Sequence, residues 1–324
     1  METFQSFEEV LYRVNDHSFR EIALKLFHFQ AKYNPVYSEY IQHLRIKPGS
    51  IDQLEQIPYL PVSFFKNHDI KTGDWPTEVT FTSSGTTGMI SSRHQVYSTA
   101  FYLENAAQCF SFFYGDVSGY RTLALLPSYV ERGGSSLIAM IEDFIRRGGG
   151  GFYHHNKAGL LDAIANSQGQ KMILWGVTYA LLDLAEEGEL DLSNCIVLET
   201  GGMKGRRAEI TRTELHQFLG SRFHTSRIHS EYGMTELMSQ AYSQGEGIFR
   251  CPPWMKVVLR DPEDPREITN GRGRGGINII DLANIRTCAF IETQDLGRMG
   301  QNGSFEVLGR MDNSDIRGCN LLVE

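Results

Sequence analysis

The chain has 324 residues, 41% of them hydrophobic and 22% charged, enough apolar material for two domains or for one large α/β unit with an appendage. Its 31 basic and 39 acidic residues leave a net charge of −8, which argues against a general affinity for nucleic acid or an anionic membrane surface. The five cysteines, Cys109, Cys195, Cys251, Cys288 and Cys319, are odd in number and form no CxxC pair, so neither a disulfide framework nor a structural zinc site is expected. The His154–His155 pair has no third ligand nearby in sequence and reads as a loop. The N-terminus carries acids where a signal peptide needs a basic stretch and an apolar core, and no apolar run is long enough to span a bilayer. A cytoplasmic protein is the expectation.

In chain order, residues 1–55 read as helical. "SFEEVLYRVNDHSFREIALKLFHFQAKY" places Phe7, Val10, Leu11, Val14, Ile22, Leu24, Leu26 and Phe27 on one broad stripe. "IPYLPVSFFKNH" breaks the helix with two prolines and begins an extended segment. Strands and helices then alternate. "EVTFT", "RTLALLP", "KMILWG" and "CIVLETGG" read as strands; "STAFYLENAAQCFSFFY", "SSLIAMIEDFIRR", "TYALLDLAEEG" and "RAEITRTELHQFLG" read as helices. The glycine run 148–151 ends the second of these helices. Such alternation predicts a parallel α/β sheet. After residue 240 the pattern changes to "WMKVVLRD", "GGINIIDL", "CAFIETQDLGRM" and "SFEVLGRM", joined by turn-rich pieces such as "TNGRGRGG". That part is expected to be mostly antiparallel β, a small β-barrel-like lobe.

"FTSSGTTG" follows the strand "EVTFT" and crowds hydroxyls and bare backbone together. Gly85 and Gly88 allow close backbone approach, while Thr82, Ser83, Ser84, Thr86 and Thr87 add donors, a combination suited to phosphate oxygens. No G-K-[ST] follows, so it is not a Walker A loop, and a plain turn remains the other reading. Three further stretches strengthen the phosphate reading. "SEYGMTE" offers an aromatic for a purine in Tyr232, a hydroxyl for a phosphate in Thr235 and a carboxylate for Mg²⁺ in Glu236. "TQDLGRM" puts Asp295 at a strand end, where an acid can accept both hydroxyls of a ribose. "LGRMDNSDIRG" supplies Arg310 and Asp312.

Taken together, these motifs resemble those of the adenylate-forming superfamily of acyl-CoA synthetases, peptide-synthetase adenylation domains and firefly-type luciferases. The resemblance implies a large N-terminal α/β adenylation domain using ATP and Mg²⁺. In it Thr82, Ser83, Ser84, Gly85, Thr86, Thr87 and Gly88 hold the phosphates, and Gly201 and Gly202 flank the adenine that Tyr232 faces. Thr235 binds phosphate, Glu236 is associated with Mg²⁺, Asp295 binds the ribose, and Arg310 and Asp312 mark a hinge. The implied organisation is a helical segment (1–55), an α/β adenylation core (56–240), a β-rich lobe (241–310) and a hinge remnant with a tail (311–324).

Full-length members continue into a small C-terminal domain carrying a lysine, which this sequence is expected to lack. After "TTG" many members have Pro-Lys, where this chain has "MISSRH"; Arg93 or His94 is the candidate stand-in. The LuxE-type acyl-protein synthetases of bacterial bioluminescence share these departures, together with "IPYLPVSFFK", "TGGMK", "PPWM" and a late "GC". That closer resemblance implies formation of an acyl-AMP from a fatty acid, acyl transfer to a cysteine near the C-terminus, and hand-off to a reductase or acyl-carrier partner. By position the acceptor is Cys319, with Cys251 as the alternative and Cys109, Cys195 and Cys288 as core. Ser128, Tyr129 and Trp175 fall where relatives bind the acid, Trp175 being equally readable as core. Lys204 reads either as a ligand for phosphate or carboxylate, or as a solvated lysine. Transfer to CoA or a carrier by an adenylating half-enzyme, and a weakly catalytic nucleotide-binding subunit, are the competing functions.

Overall fold

A computed structural model describes residues 2–83, 90–126, 133–154, 156–167, 169–201, 210–264, 266–269 and 273–311. The helices, in chain order, are α1 (Phe4–Val10), α2 (Asp16–Tyr33), α3 (Pro35–His43), α4 (Phe64–Asn67), α5 (Thr99–Tyr114), α6 (Ser136–Gly148), α7 (Lys157–Ala165), α8 (Thr178–Glu186) and α9 (Arg212–Arg222). The strands are β1 (Leu60–Pro61), β2 (Val79–Thr82), β3 (Arg93–Val96), β4 (Tyr120–Leu125), β5 (Gly150–Phe152), β6 (Lys171–Val177), β7 (Cys195–Thr200), β8 (Ile228–Tyr232), β9 (Ala241–Ser243), β10 (Ile248–Arg250), β11 (Met255–Arg260), β12 (Ile268–Thr269), β13 (Arg274–Asp281), β14 (Phe290–Met299) and β15 (Phe305–Arg310). Among the described residues no helix is long and apolar enough to cross a membrane. The chain divides into two compact units, one of Met1–Thr99, Glu236–Ser239 and Arg250–Glu324, the other of Ala100–Thr235 and Gln240–Phe249.

In the first unit, β12, β11, β13, β14 and β15 lie side by side and antiparallel, with β1 added in parallel along β14 through Leu60↔Ile291 and Pro61↔Glu292. The helix α2 begins where Asn15 caps the amides of His17 and Ser18 at 3.0 and 3.2 Å. It buries Phe19, Ala23, Leu26, Phe27 and Gln30, which recur at helical spacing. Gln30 is the polar member of that stripe. Its amide donates to the carbonyls of Asn284 and Ile285 at 2.8 and 3.1 Å and accepts from the Ala289 amide at 2.9 Å. Every polar atom of a buried amide is thereby used to fix the helix against a distant turn.

The second unit holds the predicted parallel sheet, in the order β5, β4, β6, β7, β8, with β9 antiparallel on the last strand, but "EVTFT" is not part of it: β2 lies in the first unit and pairs antiparallel with β3. Strand β6 is buried on both faces, which is why "MILWGV" reads as a continuous apolar run rather than an alternation. Leu123, Leu125, Leu174, Val197 and Ile228 pack on Leu160, Leu181, Leu182, Leu215 and Phe223. Trp175 joins Phe110, Phe144 and Tyr242 in a ring cluster, with centroids 5.9–6.4 Å apart. Helix α6 ends as the glycine run predicts: Gly149 adopts φ +85 and its amide returns to the Ile145 carbonyl at 2.7 Å.

Candidate active site

Several of the sequence-predicted residues stand at strand ends within the first unit. Thr82 is the last residue of β2 and pairs with Arg93 on β3. The next residue, Ser83, donates its amide to the Ser92 carbonyl at 3.1 Å and accepts the Ser92 amide on its hydroxyl at 2.9 Å. This double bond closes the neck of the hydroxyl-glycine loop; Ser84, Gly85, Thr86, Thr87 and Gly88 themselves lie outside the described residues. The Ser92 side chain lies near the carboxyl of Glu236 and favours its ionised form. Glu236 is 5% exposed. Burial pushes its carboxyl above the usual range, Ser92 opposes that, the charge of Asp295 adds to it and the charge of Lys66 reduces it. Ser83 and Ser92 are joined directly, and Ser92 and Asp295 both act electrostatically on Glu236.

The backbone around Glu236 is held by residues that sequence reasoning did not single out. Asn284 donates to the Glu236 carbonyl at 2.9 Å. Asp281 is fully buried at the end of β13 and accepts the amides of Met238 and Ser239, both at 2.9 Å, the Ser239 hydroxyl at 2.7 Å and the Ala283 amide at 3.1 Å. Burial raises its carboxyl while these donors pull it down. The Trp254 indole closes the group on the Ser239 hydroxyl at 3.1 Å. The available signal was an acid ending an otherwise apolar strand, "GGINIID", a position that needs buried donors. Asp295 sits on β14 opposite Arg310 of β15, with its amide on the Thr293 hydroxyl at 3.1 Å. Arg310 itself is exposed and donates to Gln294 at 3.0 Å. Of the candidate stand-ins for the Pro-Lys lysine of the loop pattern, His94 is buried on Thr287 at 3.1 Å, and Arg93 is paired with Asp69 at 3.3 Å.

The second unit holds Gly201 and Tyr232. Gly201 leaves β7 with φ +73. The Thr178 hydroxyl lies 3.3 Å from its carbonyl and 3.2 Å from Glu199. Glu199 is buried; burial lifts its carboxyl, but His216 at 3.7 Å, the Arg212 guanidinium at 3.3 Å and Ser230 hold it below the usual range. One residue on, Thr200 pairs with Glu231 across the two strands and its hydroxyl donates to the Glu231 carboxylate. Burial pushes Glu231 up to about 7, with Thr200 opposing and the charge of Glu199 adding to the rise. The other oxygen of Glu231 lies 2.2 Å from where a Cβ on Gly233 would stand, so a side chain there requires that carboxyl to move. The Tyr232 ring meets Phe249 edge-on at 6.0 Å, and Phe249 carries the Arg212 guanidinium at 5.0 Å. Trp175 is fully buried within its ring cluster. The boundary between the units falls between Thr235 and Glu236. Ser128, Tyr129, Gly202, Lys204, Asp312 and Cys319 lie outside the described residues.

Among the described residues no cluster of three or more His, Cys, Asp or Glu could hold a metal ion. One or two carboxylates suffice for Mg²⁺ when substrate phosphates and waters complete the octahedron, so Glu236 fits that role. Cys109, Cys195 and Cys288 are buried, and burial lifts the thiols of Cys195 and Cys288 to about 12, which keeps them unreactive. Cys251 is half-buried.

No protein-family model and no curated protein sequence matches the chain. Among solved structures it is similar to 2-hydroxyisobutyryl-CoA ligase in complex with 2-HIB-AMP and CoA, with a TM-score of 0.67 and 13% identity, over 92% of this chain and 68% of that one. It is also similar to ATP-bound MatB from Rhodopseudomonas palustris, with a TM-score of 0.56 and 16% identity, over 72% and 48%. A third is the AMP complex of O-succinylbenzoate coenzyme A synthetase, MenE, from Bacillus subtilis, with a TM-score of 0.51 and 18% identity, over 74% and 50%. The chain spans about half the length of MatB and MenE. At these identities the likeness is one of fold: the mixed α/β architecture is that of the adenylate-forming domain of acyl-CoA ligases.

Proposed function

We propose that the chain activates a carboxylic acid of the fatty-acid class with ATP as an acyl-AMP, and then passes the acyl group to the thiol of Cys319. The observation that supports this best is the buried carboxyl of Glu236, whose ionisation Ser92 favours, Ser92 being joined to Ser83 at the neck of the hydroxyl-glycine loop. It occurs in a fold whose neighbours include ATP-bound MatB and a ligase holding 2-HIB-AMP. In this reading residues 82–88 and Thr235 receive the phosphates. Tyr232 faces the adenine, which Gly201 and Gly202 flank, and Asp295 binds the ribose. Arg310 begins a hinge, and Ser128, Tyr129 and Lys204 line the acid site, Trp175 being core. Mg²⁺ on Glu236 supplies charge neutralisation at the phosphates.

The substrate carboxylate attacks the α-phosphorus, the bond to the bridging oxygen breaks and pyrophosphate leaves. No strong base is needed, because the carboxylate is already ionised; the protein supplies position and charge. The Cys319 thiolate then attacks the acyl carbonyl, AMP departs, and the thioester keeps the acyl group active for a reductase or carrier. One observation favours CoA as the acceptor instead: the 2-hydroxyisobutyryl-CoA ligase neighbour holds CoA.

Intact mass of the purified protein after incubation with ATP, Mg²⁺ and a panel of carboxylic acids, beside Cys319→Ser, tests the reading. A hydroxylamine-labile acyl increment on the wild type and none on the variant is expected. AMP and pyrophosphate release with no increment on either protein moves the acceptor to CoA or a carrier. No pyrophosphate release with any acid refutes the adenylation itself.

A further inference from the structure

Strand β14 is irregular where it carries Asp295. In its pairing with β13, Gly276 faces Leu296 and Asn278 faces Glu292, so Thr293, Gln294 and Asp295 stand opposite the single residue Ile277. Such a bulge leaves backbone groups outside the ladder, and these need other partners. One side chain supplies partners on both strands. Arg260 ends β11, opposite Gly276, and is 4% exposed. Its guanidinium crosses β13 and reaches the bulge. Nη2 donates to the Thr293 carbonyl at 2.7 Å, and Nη1 donates to the Ile277 carbonyl and the Asn278 side-chain oxygen, both at 2.9 Å. The Glu292 carboxylate lies 3.7 Å from the same Nη2 and balances its charge. The crossing depends on the bare backbone at position 276, where a Cβ would stand 2.5, 2.7 and 2.8 Å from Cζ, Nη1 and Nε. The residues that Arg260 holds then fix Asp295. The Thr293 hydroxyl donates to the Ile277 carbonyl at 2.8 Å and accepts the Asp295 amide at 3.1 Å. On the other edge Asp295 pairs with Arg310, and the Met311 amide closes on the Gln294 carbonyl at 2.7 Å.

Resting on the adenylation reading above, in which Asp295 binds the ribose, we infer that Arg260 is a positioning residue for the nucleotide: it holds the β14 bulge so that Asp295 is presented to the ribose hydroxyls. Arg260 touches no substrate in this role and acts through Thr293 and Ile277. Its planar fork spans carbonyls on two neighbouring strands at once, which the single centre of an ammonium does not do. Those bonds go to backbone carbonyls, so the residue contributes geometry more than charge. The chain therefore distinguishes ribose from its deoxy analogues, and the distinction depends on a side chain that starts two strands away from the acid.

The test is calorimetric titration of the full chain with MgATP and with the Mg²⁺ complex of 2′,3′-dideoxyATP, for the wild type, Arg260→Lys, Gly276→Ala and Asp295→Ala. Lysine keeps a cation beside Glu292 but loses the fork. Alanine at 276 leaves the arginine in the chain and drives its guanidinium off the bulge. Neither variant strips Glu292 of its counter-charge outright, which would threaten the fold itself. The wild type is expected to prefer ATP by roughly 10-fold or more, the scale of hydrogen bonds to a charged group. That preference should be lost in Arg260→Lys and Gly276→Ala, as in Asp295→Ala, with affinity for the dideoxy analogue unchanged; binding of the analogue also shows that each variant is folded. A preference that survives in Arg260→Lys and Gly276→Ala but not in Asp295→Ala overturns the role of Arg260. Equal weakening of both nucleotides in those two variants overturns it as well, because it reports a general loosening. A wild type that binds both nucleotides equally removes Asp295 from the ribose, and Arg260 with it, and leaves adenylation standing. A wild type that binds neither overturns the adenylation reading too.

Discussion

Glu231 is the group whose replacement says most about the second unit. Burial lifts its carboxyl from an ordinary 4.5 to about 7, the Thr200 hydroxyl opposes the rise and the charge of Glu199 adds to it. The phenols of Tyr102 and Tyr242 also lie within its electrostatic reach. A native carboxyl that holds its proton more tightly than the unfolded chain does makes stability fall as pH rises between those two values. Each pH unit in that window is about 1.4 kcal/mol, so ionised Glu231 destabilises the fold by up to about 3 kcal/mol above pH 7. Glu231→Gln is isosteric, still accepts from Thr200 and cannot ionise. Urea unfolding of both proteins at pH 5, 6, 7 and 8 should show near-equal stability at pH 5 and a gain for the variant that grows to about 3 kcal/mol at pH 8. Glu199, held below the usual range, works in the opposite sense. Its contribution is present above its unfolded value and is lost only as pH falls through its native one, acid of the window used. A difference between the two proteins that does not change with pH, or a variant less stable at pH 8, refutes the assignment.

Two further substitutions probe the scaffold. Asp281→Asn turns an amide toward the Met238 and Ser239 amides in place of an acceptor and should lower stability by about 2–3 kcal/mol. It should also weaken MgATP binding by releasing the segment that carries Glu236; an unchanged melting temperature contradicts this. Gly233→Ala forces a methyl onto the Glu231 carboxyl and should destabilise by about 1–3 kcal/mol, with recovery when Glu231→Ala is combined with it. A double variant no better than Gly233→Ala alone attributes the loss to the backbone instead.

Local pattern was a good guide where burial and periodicity coincide. The predicted strands "EVTFT", "RTLALLP", "KMILWG" and "CIVLETGG" appear as β2, β4, β6 and β7, and the four helices between them as α5, α6, α8 and α9. It was a poor guide to short pieces. Strand β5 has three residues and β1 has two, too few for an alternation to register, and both exist because a longer strand offers a free edge. Helix α7 went unread beside the polar loops that flank it.

The sequence by itself determined the α/β alternation, the antiparallel character after residue 240, and the motifs that point to a nucleotide, because each of these is written in residue types at short range. Only the tertiary structure decided which of the motif residues share a neighbourhood. The clamp of Asp281 on Met238 and Ser239 and the Asn284 bond to the Glu236 carbonyl join residues far apart in the chain. No periodicity encodes such meetings; they arise because strand pairing and the satisfaction of buried polar groups choose among many locally equivalent arrangements. The same holds for Glu199 and Glu231, two acids unremarked in "LETGG" and "SEYG". Strand register places them a residue apart in a buried sheet, and that placement raises the titration of one while the other is held down by its own cations.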